Sequence, residues 1–102
     1  MERVEYFRNY RKFALEIKEL VLKHVSAKIY VFGSVVRGDY SVGLSDIDIA
    51  IVSDEFKDRH KRLMIYDLLF SKYFDTPFEF HLVTSDRWRR MLKFIGSDYI
   101  EI

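Results

Sequence analysis

Apolar residues recur at three- and four-residue steps from Glu2 to about Lys23: Val4, Phe7, Ala14, Ile17 and Val21, joined by Phe13 and Leu20. That period predicts one amphipathic helix, with Glu16, Lys18 and Glu19 toward water. The pattern then changes. Lys28–Phe32 is a short apolar run ending at Gly33, as expected of a strand and a turn. Asp46–Val52 alternates, with Ile47, Ile49 and Ile51 on one face and Asp46, Asp48, Ala50 and Val52 on the other. The stretch SDEFKDRHKR then leads into a helix capped by Ser53, Asp54 or Asp58, with a predicted buried stripe of Leu63, Tyr66, Leu69, Phe70 and Tyr73, ending near Phe74. After the turn Asp75-Thr76-Pro77, FEFHLVT alternates again, Phe78, Phe80 and Leu82 against Glu79, His81 and Val83. Thr84 or Ser85 should cap a last helix to about Phe94, with Trp88, Met91 and Leu92 inward and Gly96 ending it. Tyr99–Ile102 is an edge strand or a docking tail. This order predicts an α/β (α+β) fold: a small mixed β-sheet with helices on one face and an open face exposing Asp46, Asp48 and Glu79.

Composition narrows the class without naming a function. At 102 residues, 49% hydrophobic and 17% aromatic, the chain is expected to form one domain, residues 1–102, with a single packed core. There is no cysteine, so thiolate metal sites and disulfides are excluded. No run reaches the roughly 18–20 apolar residues that span a bilayer, and the charged start MERVEYFRNYRK is unlike a secretory leader; a cytoplasmic protein is expected. A net charge of +1 provides no global attraction for nucleic acid.

Chemistry concentrates between Ile29 and Val52. Asp46 and Asp48 lie two apart on a strand that is otherwise suited to burial on both faces. Neighbouring carboxylates there repel and call for a cation or a shared proton. Upstream, Gly33 and Ser34 follow a strand and open a helix, where backbone N–H groups and a hydroxyl can meet phosphate. Each half alone is weak evidence, since a Gly-Ser corner is usually only a turn. Together they suggest nucleoside triphosphate chemistry. His81, two residues beyond Glu79 on the same face, reads by default as an edge-strand or core histidine, with nucleotide or metal contact as the minority reading. The cations of Lys57–Arg62 and of Arg87, Arg89, Arg90 and Lys93 read as solvated faces.

The stretch GSVVRGDYSVGLSDIDIAIV resembles the signature of the minimal nucleotidyltransferases, the short branch of the DNA polymerase beta superfamily. There a Gly-Ser, often followed by Arg-Gly, precedes an Asp-x-Asp, and a third acid lies on a later strand. Eleven residues separate Ser34 from Asp46 here, where ten is commoner. The resemblance implies Asp46, Asp48 and Glu79 as catalytic metal ligands, and Gly33, Ser34, Arg37 and Ser45 around the nucleotide. It implies ATP as donor, Mg²⁺ (two ions) as cofactor, and a partner HEPN-domain toxin whose tyrosine hydroxyl receives AMP, making this chain the antitoxin. Two other readings stand beside it: an antitoxin acting by contact alone, and a nucleotidyltransferase acting on a small molecule or a nucleic-acid end.

Overall fold

A four-stranded sheet orders the molecule, and the computed structural model describes it over all residues, Met1–Ile102. Its strands are β1 (Lys28–Phe32), β2 (Ile47–Val52), β3 (Phe78–Val83) and β4 (Tyr99–Glu101), in the order β3-β2-β1-β4. β1 pairs antiparallel with β2 and with β4, whereas β2 and β3 are parallel. A parallel pair cannot be closed by a hairpin. The crossover is a 3₁₀ turn (Asp54–Lys57) followed by helix α4 (Arg59–Tyr73). Ser53 Oγ caps the turn by accepting from the Glu55 amide, and Asp58 caps α4 by accepting from the amides of His60 and Lys61. Pro77 precedes β3 and its carbonyl accepts from the Ile47 amide at 2.8 Å, which ties the start of β2 to that of β3.

Strict alternation divides the sheet. Ile29, Val31, Ile47, Ile49, Ile51 and Phe78 join the main core with Phe7, Ala14, Ile17 and Val21 from the N-terminal helices and Ile65, Leu69 and Tyr73 from α4. The N-terminal periodic segment is two helices rather than one: α1 (Arg3–Arg8) and α2 (Tyr10–Leu22) meet at Asn9, where φ −116° and ψ 28° leave helical geometry. The Asn9 side chain bonds back to the Glu5 carbonyl, the local competition with the helix ladder that asparagine offers.

The opposite face carries Asp48, Ala50 and Val52 of β2, aligned with Glu79, His81 and Val83 of β3. Asp48 and His81 are half-buried and Glu79 is exposed on this face. Half of the face is covered by α5 (Ser85–Ile95), whose buried Trp88 packs with Phe32, Ala50, Val52 and Val83 in a second, smaller core. The chain must travel from β3 at one edge to β4 at the other, and α5 makes that crossing over this face. β4 is the edge strand, so the C-terminal segment is part of the sheet.

One stripe differs from expectation. On α4 the buried residues are Ile65, Leu69 and Tyr73, while Leu63 (45% exposed), Tyr66 (45%), Phe70 (56%) and Phe74 (69%) face outward. The helix has apolar residues on both sides, so periodicity alone could not select the one that packs. The outer ones form a ladder, with Tyr66–Phe70 and Phe70–Phe74 ring centroids each 6.2 Å apart.

Candidate active site

Asp48 is the centre of the open half-face. It sits second in β2, flanked by Phe32 of β1 and by Glu79 of β3 in the strand register. His81 Nε2 hydrogen-bonds Asp48 Oδ1 at 3.0 Å. One potential ligand atom from each of Asp48, Glu79 and His81 falls within 4.8 Å of the others. The Asp48 and His81 side chains are 24% and 29% exposed, so the cluster is shielded from beneath and reachable from above. Ala50 stands beside His81 in the register and has no bulk with which to crowd the ring. Phe32 packs at 5.1 Å between centroids and fixes the ring's tilt.

The Gly-Ser corner touches this cluster directly. Gly33 has φ +88°, a left-handed conformation that costs side-chain-bearing residues dearly. A Cβ built there would lie 2.8 Å from Asp48 Oδ2. Glycine is thus required twice at one position, by the turn and by the carboxylate packed against it. The Gly33 amide donates to the Asp98 carbonyl at 3.1 Å, and its carbonyl accepts from Val36 and Arg37. The four-residue helix α3 (Ser34–Arg37) follows, closed by Gly38 at φ +85°, whose amide donates to the Ser34 carbonyl. Gly33 and Ser34 are half-buried.

The remaining expected residues are placed otherwise. Asp46 is outside the cluster: it precedes the first ladder pair, Ile47–Phe78, and its carboxylate faces Arg3 at 3.6 Å. Arg3 also donates to the carbonyls of Val42 and Ser45, so one guanidinium from α1 fastens the loop that delivers β2. Ser45 Oγ accepts from the Ser41 amide at 2.9 Å and so shapes this loop. Arg37 is engaged by Asp39 at 3.1 Å and Asp98 at 3.8 Å. The hydrogen bond and charge of Asp39, then the charge of Asp98, hold its pKa above the ordinary guanidinium value. Arg3 was not identifiable from sequence, because nothing local links residue 3 to residue 46. His81 did carry a signal, its two-residue spacing from Glu79.

The donor set fits a divalent cation. Two carboxylates are paired across adjacent strands, and no lysine or arginine forms an ion pair with Asp48 or Glu79; the His81 ring is the side chain that hydrogen-bonds Asp48. The partly shielded Asp48 and the exposed Glu79 offer oxygen donors of the kind that divalent cations take. Two other concavities bear on the site. A groove of about 320 Å³ runs from Asp46 and Glu79 along Phe78 and Phe80 to the Tyr66, Phe70 and Phe74 ladder. A larger one, about 560 Å³, lies at the far end of the sheet between the 3₁₀ turn and α5. Its acids are already used, Asp54 by Ser85 and Glu55 by Ser26 and Lys61.

Residues 10–97 match the nucleotidyltransferase domain family, and the chain belongs to that family. A crystal structure described as that of a candidate nucleotidyltransferase is 48% identical, with a TM-score of 0.77 over 92% of this chain and 98% of its own. A second candidate nucleotidyltransferase, from Sulfolobus solfataricus, is 25% identical, with a TM-score of 0.66 over 97% of this chain and 84% of its own. No functionally curated protein matches the sequence. No helix is long and apolar enough to cross a membrane.

Proposed function

We propose that this nucleotidyltransferase moves AMP from ATP to a hydroxyl, the tyrosine of a partner HEPN-domain toxin, and acts as that toxin's antitoxin. The observation that carries the transfer chemistry is the contact of Gly33 with Asp48, which joins the phosphate corner to the acids. In this reading the triphosphate tail lies over Gly33 and Ser34, where a side chain would obstruct its approach and the Ser34 hydroxyl can donate to it. Glu79 accepts the proton of the acceptor hydroxyl. The freed oxygen bonds to the α-phosphorus as the bond to the bridging oxygen breaks, and pyrophosphate leaves with that oxygen. Magnesium held by Asp48 and Glu79, with Asp46 released from Arg3, would offset charge on the attacking and departing oxygens. Arg37 reaches phosphate only by leaving Asp39 and Asp98, so its part is secondary.

A protein acceptor is supported by how little covers the acids. The aromatic ladder of α4 leads through the groove to Glu79 and gives a partner an apolar surface beside the chemistry. Contact-only neutralisation has one observation in its favour, the engagement of Asp46 by Arg3 away from the other acids. Labelling separates the two. With α-labelled ATP, Mg²⁺ and the purified partner, label should appear on a partner tyrosine and vanish with Asp48→Asn. A toxin neutralised without label would overturn the enzymatic reading.

A further inference from the structure

We infer that His81 is a direct ligand of the metal at this site, and that its imidazole makes the site select first-row transition dications over Mg²⁺. The inference rests on the reading of Asp48 and Glu79 as metal ligands and goes beyond it in adding a nitrogen donor and a change of ion.

The geometry carries the first half. Adjacent ligands of an octahedral ion, each about 2.1 Å from the metal, stand roughly 3.0 Å apart. His81 Nε2 and Asp48 Oδ1 are 3.0 Å apart, joined by a hydrogen bond whose proton the metal would replace. Glu79 shares a face with His81, and its carboxylate lies within the same 4.8 Å set. The ring has space because Ala50 is its register neighbour, and Phe32 restricts its tilt. Nε2 is therefore presented to the Asp48 carboxylate, with Glu79 in reach.

Donor chemistry carries the second half. Mg²⁺ takes oxygen ligands in a strict octahedron and keeps its waters, whereas imidazole nitrogen suits the first-row transition ions, Mn²⁺ the most weakly of the series, so Mn²⁺ is the stringent case and the spectroscopic probe. Any mixed nitrogen–oxygen site favours transition metals to some degree. The specific consequence is that the preference depends on one side chain. The alternative role of His81, orienting Asp48 through the hydrogen bond alone, would affect both ions alike.

The test uses the whole protein with metal alone. Mn²⁺ binding is followed by loss of the free-ion electron paramagnetic resonance signal, and Mg²⁺ affinity by competition. His81→Asn should weaken Mn²⁺ at least tenfold while changing Mg²⁺ less than threefold. Pulsed resonance of Mn²⁺-loaded wild type should show echo modulation from a bonded imidazole nitrogen, a reading that needs no variant to fold. Absence of that modulation, equal loss of both ions, or no Mn²⁺ uptake by wild type would each overturn the inference. These outcomes are separate from nucleotide transfer. Label on the partner with no nitrogen signal would leave the activity standing and remove His81 as a ligand; nitrogen-bound Mn²⁺ without transfer would do the reverse.

Discussion

Gly33 is the residue on which the two halves of the motif meet. Its φ of +88° and the 2.8 Å approach of Asp48 Oδ2 to a built Cβ act together. Gly33→Ala should cost about 1–3 kcal/mol of stability, the usual range for a side chain forced into such a conformation, and should displace Asp48 from His81. Denaturant melts and metal titration would register both losses. Tyr73 behaves oppositely. Its hydroxyl is buried without a hydrogen-bond partner, and burial pushes its pKa up. Removing an unsatisfied buried donor relieves a desolvation cost, so Tyr73→Phe should be neutral or stabilise by up to about 1 kcal/mol; a drop in denaturation midpoint would show that the hydroxyl does have a partner. That Asp48 and Glu79 each stand on the strand face opposite an apolar set was legible in sequence, because strand alternation is strict; the parallel pairing that sets them side by side was not, since alternation leaves strand order open. The partner of Asp46 was not, since an ion pair between residues 3 and 46 depends on where α1 ends up.

At the scale of elements, α4 shows the limit of periodicity. Leu69 is fully buried, and its neighbour Phe70 is 56% exposed. Leu69→Ala should cost about 2–5 kcal/mol by opening a core cavity, while Phe70→Ala should stay within about 1 kcal/mol. Parity between them in urea melts would mean that the sequence-predicted stripe, not the observed one, is packed. The 3₁₀ turn is the acid-sensitive element. Hydrogen bonds from the Ser85 hydroxyl and amide hold the Asp54 carboxyl below its ordinary value, and the Ser26 amide, then Lys61, do so for Glu55. Their folded-state pKa values are depressed, so their stabilisation is full above the ordinary carboxylate range and is lost as pH falls through the lowered values. Glu55→Gln should lower stability at neutral pH, where the carboxylate's contribution is full, and converge with wild type below the lowered pKa, so that the decline into acid is flatter, as melts between pH 2 and pH 7 would record.

Across the whole molecule, the strands have one face for cohesion and another divided between cohesion and chemistry. Hydrophobic alternation announced the first face fully. It also showed that α5 has an apolar side in Trp88, Met91 and Leu92, but a helix that crosses between sheet edges can pass over either face with the same pattern. Where α5 stops, the acids begin, and there the fold carries a repulsion that packing does not relieve. Like charges opposite one another on paired strands cost about 0.2–1 kcal/mol. Without metal, Glu79→Gln should therefore raise Tm by roughly 1–6 °C for a domain of this size. With a divalent cation at a hundred times its dissociation constant, wild type should gain about 2.7 kcal/mol by binding. The variant, having lost a ligand, should gain far less, and the order of the two melting curves should reverse. Curves that keep their order with and without metal would mean that Asp48 and Glu79 are not a cation site, because repulsion in the empty site and affinity in the filled one arise from the same two charges.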